Sequence, residues 1–155
     1  TDFRGEEYRL SLILGRKEAV KIEGGLLVVS YVDDKSIGRE NIKRLLEDWY
    51  LKESIKILKA RTEELAQQMR VQPCGITVKN YNSKWGSCTA NNKISYNWRI
   101  IMAPDCIVDY LIIHELIHII EPNHSKNFWY QVGSYCEDFQ KKKKWLRENG
   151  HKLVL

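Results

Sequence analysis

The chain has 155 residues, of which 43% are hydrophobic and 29% are charged, and it carries a net charge of +5. These values are typical of one globular domain, which at this length buries roughly 70% of its unfolded surface, and they exclude a disordered or fibrous chain. The positive charge favours acidic partners. It falls short of a nucleic-acid signature, because net charge by itself indicates solubility and non-specific binding.

The cysteines are spread along the chain without any CxxC pair, which excludes a zinc ribbon and a thioredoxin-like motif. We expect Cys74, Cys88, Cys106 and Cys136 to be free thiols. No secretory signal is visible, so we expect a protein of the reducing cytoplasm. No apolar run approaches the roughly 20 residues needed to cross a bilayer, and we therefore expect no membrane partner.

The first half of the chain predicts strands followed by a long helix. Short apolar runs at residues 8–14, 19–22 and 26–32 are separated by glycine-containing segments, which predicts a β-meander with tight turns. Residues 39–72 contain neither glycine nor proline, and their apolar side chains recur at helical steps. This segment is expected to form one long amphipathic helix, or two with a bend, with Ser36 as a candidate N-cap.

The middle of the chain predicts a strand, a turn and a second strand. Residues 76–81 are expected to form a strand, and residues 82–88 suggest a turn built on Gly86. Apolar and polar side chains alternate over residues 94–101, the pattern of a half-buried strand. We therefore expect an α+β fold in which a small antiparallel sheet packs on the helix that follows. We expect a single domain over residues 1–155, with the meander lobe over about 1–35 and a helical core over about 36–155.

The segment His114-Glu115-Leu116-Ile117-His118 carries the clearest chemical signal. Residues four apart lie one above the other on the same face of a helix, so His114 and His118 can direct their imidazoles at a single zinc ion. Glu115 is rotated by about 100° from His114. Its carboxylate can therefore approach the same ion from the side and accept a proton from a water molecule held there.

A third ligand must come from beyond this helix, and His124 is the candidate. Pro122 favours an end of the helix near residues 120–121, after which the chain turns back. Three histidines with an open fourth position describe a catalytic zinc site, whereas structural zinc sites are closed by four protein ligands. Glu137, on the next predicted helix, is an alternative third ligand, and Glu121 is a further alternative or a hydrogen-bond partner of a ligand histidine.

Three stretches of the chain resemble the YgjP-like metallopeptidase family, relatives of the SprT-like and WLM zinc proteases. They are KWGSC at residues 84–88, ISYNWRIIMAP at 94–104 and DYLIIHELIHIIEPNHSKNFW at 109–129. The resemblance implies a zincin-type fold. It also implies that zinc, or another divalent metal, is held at the positions of His114, His118 and His124, with Glu115 as the catalytic base.

The same resemblance bears on substrate contacts. In zincins the strand just before the metal helix commonly borders the cleft, and an extended peptide can add to such an edge through main-chain hydrogen bonds. By resemblance, Ser95, Asn97 or Arg99 would then face the substrate. The alternative is that these side chains are ordinary solvent-facing residues or brace the turn at Trp85.

The C-terminal part predicts two further features. Ser125 is a suitable cap for a helix with an apolar stripe that includes Phe128 and Trp129. The lysine run at residues 141–144 is expected to be mostly solvated and to suit a helix C-terminus, although nucleic-acid contact stays open as an alternative. The fourth histidine, His151, is expected at the surface.

Together these observations predict a zinc-dependent hydrolase, first of all a metallopeptidase acting on a peptide, a protein or a small-molecule substrate. A metal-dependent phosphohydrolase of the nucleotide pyrophosphatase type is one alternative, because an activated water attacks phosphorus as readily as carbon and the chain is basic. A non-enzymatic adaptor domain held together by the metal is the other. An open ligand position and the presence of Glu115 favour the enzyme.

Overall fold

The computed structural model describes residues 1–32 and 38–155, and it confirms the α+β class. The strands are β1 (Asp2–Phe3), β2 (Glu6–Glu7), β3 (Arg9–Leu14), β4 (Ala19–Glu23), β5 (Leu26–Tyr31), β6 (Gly75–Lys79), β7 (Gly86–Cys88) and β8 (Lys93–Asn97). The helices are α1 (Arg39–Met69), α2 (Asp105–Ile117), α3 (Lys126–Tyr135) and α4 (Phe139–Asn149). The candidate cap Ser36 and the expected boundary between the two lobes lie outside the described residues.

The N-terminal sheet has the order β3-β5-β4, and the predicted meander is wrong in its connectivity. Strand β5 is antiparallel to β4 but parallel to β3, so it lies between two strands that a meander would have placed side by side. The β4–β5 hairpin turns at Gly24 and Gly25, whose φ angles of 57° and 76° favour glycine. The reason for the order is burial: Leu27 and Val29 of β5 are fully buried, which the central position allows, whereas β3 at the edge is largely exposed.

Helix α1 is one continuous helix of 31 residues. It ends at Arg70, which adopts a left-handed conformation with φ of 55°. One side of the helix is buried in the core, and its polar members are satisfied locally: the Ser54 hydroxyl donates to the carbonyl of Leu51, and that of Thr62 donates to the carbonyl of Leu58. A buried hydroxyl without a partner would cost roughly 1–3 kcal/mol, so these bonds permit the helix to pack on this face.

The second sheet has the order β6-β8-β7 and is mixed rather than antiparallel, because β6 is parallel to β8 while β7 is antiparallel to it. The prediction of a turn at Gly86 is wrong, since Gly86–Cys88 is an edge strand. The half-buried strand over 94–101 is also corrected. Strand β8 is central and buried on both faces after Lys93, and a 3-10 helix follows it over Trp98–Met102.

Helix α2 begins directly after Pro104, where a proline costs no helical hydrogen bond. Arg4, near the N-terminus, donates two hydrogen bonds to the carboxylate of Asp105 in the first turn, and this partner lowers the pKa of Asp105. The helix is buried on nearly every side. Its buried members are Ile107, Val108, Tyr110, Leu111, Ile112, Ile113, Glu115, Leu116 and Ile117. None of the helices in the described ranges is both long enough and apolar enough to cross a bilayer.

Candidate metal centre

Three histidines converge at the end of α2. His114 lies in its last turn, His118 is its C-cap residue, and His124 comes from the loop that follows. The Nε2 atom of His124 lies 3.1 Å from Nε2 of His114 and 3.1 Å from Nε2 of His118. In the part of the chain that the structure describes, these three residues form the group of His, Cys, Asp or Glu side chains that could hold a metal ion, with ligand atoms all within 4.8 Å of one another.

The chemistry of these rings fits a divalent metal. The Nδ1 atom of His118 lies 3.1 Å from the carbonyl oxygen of Glu121, so Nδ1 donates its proton there and the Nε2 lone pair stays free. Burial, reinforced by the neighbouring histidines and Lys143, lowers the pKa of His114 to about 3, which keeps this ring neutral. Tetrahedral zinc with Zn–N bonds of about 2.0–2.1 Å separates its nitrogen ligands by roughly 3.3 Å, close to the spacing found here.

Helix α3 forms an aromatic wall behind the histidines. The Phe128 ring is stacked on His118 with centroids 4.5 Å apart, and the Trp129 ring is stacked on His124 at 5.8 Å. Phe128 is fully buried. Ser125 caps this helix as predicted, because its Oγ accepts a hydrogen bond of 3.1 Å from the amide of Phe128. The cap and the two rings therefore hold the otherwise exposed His124 against the other two histidines.

Replacing Ser125 with Ala should weaken both the fold and the metal site. Loss of the cap is expected to lower the free energy of unfolding by about 1 kcal/mol. Because the capped turn directly follows His124, metal affinity should also fall. Chemical denaturation and metal titration measure the two effects. Ser134→Ala is the control, since the exposed Ser134 hydroxyl donates to the Gln131 carbonyl within the same helix and contacts no histidine. Equal metal affinity in the wild type and Ser125→Ala would contradict the positioning role of the cap.

Glu115 lies beside the three histidines and is 4% exposed. A cleft of about 520 Å³ opens over this group, and strand β7 forms its other wall. Its lining residues are Gly86, Ser87, Cys88, Thr89, Ala90, Asn92, His114, Glu115, His118, Ile119, Pro122 and His124. Burial raises the pKa of the Glu115 carboxyl to about 7, partly offset by the positive charge of Lys84. A carboxylate with a pKa near the working pH is suited to accept and return a proton.

Gly86 makes this close approach of strand and helix possible. A Cβ atom built on Gly86 would lie 2.5 Å from Oε1 of Glu115 and 2.9 Å from its Cγ and Cδ atoms. Such separations are shorter than van der Waals contact, so only glycine fits at this position without moving the carboxylate. The sequence suggested a turn to explain Gly86, whereas the structure explains it by the approach of Glu115.

The two carboxylates considered as alternative ligands lie elsewhere. The Glu121 carboxylate accepts a hydrogen bond of 2.9 Å from Asn127, and only its main-chain carbonyl contacts His118. Glu137 is exposed in the segment between α3 and α4 and does not belong to the metal-binding group. The geometry therefore favours His124 as the third member of the group.

The metal cleft is bordered by β7 and not by β8, the strand that carries Ser95 and Asn97, and Arg99 lies in the 3-10 helix after β8. Ser95 and Asn97 are buried, at 8% and 4% exposure. The side-chain Nδ2 of Asn97 donates to the main-chain carbonyls of Tyr81 and Lys84, and its Oδ1 accepts from the main-chain N–H of Arg99. Asn97 therefore holds the loop before β7 in place. Asn97 and Arg99 both line a second cavity, separate from the metal cleft.

The lysine run forms part of α4, and one member lies close to the candidate site. Lys143 places its Nζ 4.0 Å from the centre of the Trp129 ring, and its charge lowers the pKa of His124 after the larger effects of burial and His118. Lys142 forms an ion pair of 2.9 Å with Asp138. Lys84 and Lys143 were not singled out as site residues, because a lysine reaches its partner only after remote segments have packed. The KWGSC similarity was the available signal for Lys84.

The fold and the site define the class. A mixed sheet packed on an HExxH helix, with a third histidine from the following loop, is the arrangement of a zincin-type metallopeptidase domain. The family model described as the YgjP-like metallopeptidase domain matches residues 1–149, and the chain belongs to this family. No curated protein sequence matches the chain.

Two solved structures match this chain. The metallopeptidase zymogen abylysin of Pyrococcus abyssi is 15% identical, with a TM-score of 0.52 over 59% of this chain and 93% of that one. At this identity the similarity to abylysin concerns the fold alone. The metallopeptidase zymogen jannalysin of Methanocaldococcus jannaschii is 21% identical, with a TM-score of 0.49 over 63% of this chain and 97% of that one.

Proposed function

We propose that this protein is a zinc-dependent peptidase whose site is formed by His114, His118, His124 and Glu115. The observation that carries the proposal is the convergence of three Nε2 atoms, two pairs of which are 3.1 Å apart, beside a buried carboxylate in an open cleft. Membership of a metallopeptidase family supports it. A site closed by a fourth protein ligand would instead suggest a structural metal.

Each residue has a distinct task in this proposal. The three imidazoles hold the ion, which when bound supplies Lewis-acid polarisation of the scissile carbonyl and makes water more acidic. Glu115 accepts the proton of the attacking water and then delivers it to the leaving amine, as expected for a carboxyl whose pKa lies near 7. The buried surroundings of α2 keep both the ligands and Glu115 rigid, so little reorganisation accompanies the reaction.

Strand β7 is the proposed binding edge for the peptide. It is the outer strand of the second sheet, and all three of its residues line the cleft opposite Glu115 and the histidines. An extended peptide can add to such an edge through main-chain hydrogen bonds, which places one of its carbonyls next to the metal group. This mode recognises backbone rather than particular side chains, so specificity must come from neighbouring pockets.

Replacing His118 with Ala should abolish both zinc binding and peptide cleavage. Two imidazoles hold zinc far more weakly than three. Among the described residues, no fourth side chain belongs to this group and could replace the lost ring. Elemental analysis and cleavage of a mixed peptide library measure the two losses, with Tyr130→Phe, on a side chain that is 78% exposed, as the control.

A chelator should inactivate the wild type, and added zinc should restore it. Phosphate release from nucleotides, assayed on the same samples, separates the peptidase from a phosphohydrolase. Chelator-sensitive phosphate release without peptide cleavage would replace the proposed function with the phosphohydrolase alternative. Full peptide cleavage by His118→Ala would show that the group of three histidines takes no part in cleavage.

A further inference from the structure

A second cavity of about 470 Å³ is lined by residues 81–85, the loop that leads into β7. Its walls carry the cationic side chains Lys84, Arg99 and Arg147 together with His151, and none of the described residues that line it is acidic. Like charges gathered around a cavity repel each other, and an anion inside it removes that repulsion.

Arg99 is held in place without any carboxylate partner in the described ranges. Its guanidinium lies 4.4 Å above the Trp98 ring, and its Nη1 donates to the side-chain oxygen of Asn80. Arg61, which is also half-buried, is neutralised: it donates two hydrogen bonds to Asp109. A stacked guanidinium is already oriented, so its free N–H groups can bind a carboxylate at little cost in conformational entropy.

Among the cations that line the cavity, Lys84 is the second without an ion-pair partner in the described ranges. Its Nζ lies 4.5 Å from the centre of the Tyr81 ring. Lys84 and Arg147 are both exposed, but Arg147 has Glu148 at 3.9 Å, which partly satisfies it. The strongest anion site in the cavity is therefore the side bounded by Lys84 and Arg99.

The cavity and the metal cleft are lined by consecutive residues of one short stretch of chain. Lys84 and Trp85 line the cavity, and the next three residues, Gly86–Cys88, form β7 and line the cleft. At about 3.3 Å per residue, a peptide that lies extended beside the three residues of β7 would pass along the whole strand with roughly three to four of its own residues.

We infer that the cavity between Lys84 and Arg99 is a carboxylate subsite, which selects peptides with an acidic group a few residues from the bond that is cut. This inference rests on the proposed peptidase function. The acidic group is either a Glu or Asp side chain or the C-terminal carboxylate of the peptide, since both present the same pair of oxygens to a guanidinium. The subsite supplies the selectivity that main-chain pairing along β7 lacks.

Cleavage of matched peptides tests the subsite. One Glu is moved stepwise along an otherwise neutral sequence, and each peptide is compared with the same peptide carrying Gln. For one position, kcat/KM should favour Glu by about five- to tenfold at low salt, and the preference should shrink at high salt. Arg99→Gln should bring the ratio close to one. Lys93→Gln is the control, because Lys93 is exposed on β8 and lines neither the cavity nor the cleft.

The source of the carboxylate is decided with free and amidated C-termini. A preference that survives amidation assigns the subsite to an acidic side chain, and one that disappears assigns it to the peptide terminus. Both results support the inference. Equal kcat/KM for Glu and Gln at every position, with free and amidated termini alike, would overturn it.

Direct binding separates failure of the subsite from failure of the proposed function. Calorimetry with the metal-loaded Glu115→Gln protein compares the favoured Glu peptide with its Gln partner. A binding preference that Arg99→Gln removes supports the subsite even if no peptide is cleaved, whereas cleavage without any preference supports the peptidase and overturns the subsite. Inorganic pyrophosphate that binds more tightly than the Glu peptide, and loses that advantage in Arg99→Gln, would also overturn it, in favour of a phosphate site.

Discussion

Glu115→Gln is expected to lower kcat for peptide cleavage by about 10²- to 10⁴-fold, because a positioned acid–base group contributes on that scale. Gln has nearly the same shape as Glu, but its amide cannot take a proton from water. The protein should remain folded, since the Glu115 side chain is buried among unchanged neighbours. Zinc content should remain at one ion per chain, because the three imidazoles are untouched.

The matched control is Glu137→Gln, the same change of carboxylate to amide on an exposed residue outside the metal-binding group. It should retain wild-type activity and zinc content. Steady-state kinetics measures the turnover of both variants, and elemental analysis measures their zinc content. A Glu115→Gln protein with wild-type turnover would exclude Glu115 as the proton carrier, and loss of zinc in Glu137→Gln would revive Glu137 as a ligand.

Gly86→Ala is expected to lower kcat/KM by about 10²-fold, comparable to the effect of misplacing a catalytic group by about 1 Å. The added methyl group would lie 2.5 Å from Oε1 of Glu115, so the carboxylate or the strand must move. The carboxylate has little room because it is buried, and displacement of β7 would narrow the proposed peptide edge. Zinc binding should persist, since Gly86 contributes no ligand.

Gly75→Ala provides the control for this prediction. Gly75 begins β6 in the same sheet, and a Cβ atom built there has no atom within 4 Å. Both changes remove a similar amount of backbone freedom, so a difference in activity between them reports on contact with Glu115. Full activity in Gly86→Ala would show that the carboxylate occupies another position when the enzyme works.

The chemistry of the site was predictable because it is local in sequence. The spacing of His114 and His118 places both rings on one helical face whatever the rest of the chain does. Pro122 limits how far the helix continues, and the short loop after it leaves His124 few places to go. The structure brings all three rings together, with α2 ending at Ile117 and a hydrogen-bonded turn continuing to residue 120.

Strand order and direction were predicted wrongly in the first sheet, and in the second sheet the direction of β6 was wrong and β7 was taken for a turn. The spacing of apolar runs shows where strands lie, but the order of β3, β4 and β5 depends on which strand buries most apolar surface when both of its edges are paired. In the second sheet, Ser95 and Asn97 look like solvent-facing residues because they are polar. In the structure both are buried, and the loop before β7 accepts two hydrogen bonds from the side-chain amide of Asn97.

By itself, the sequence determined the α+β class, the HExxH helix, the capped helix after it and the family. The class and the two helices follow from side-chain periodicity and short-range hydrogen bonds, which act between residues a few positions apart. The family follows from the resemblance of three stretches, and the family model confirms it. Only the tertiary structure decided that β7 borders the cleft, that Gly86 makes room for Glu115, and that Lys84 and Arg99 share a cavity free of described acidic residues. Those contacts join segments that are distant along the chain, and their geometry is set by how the core packs.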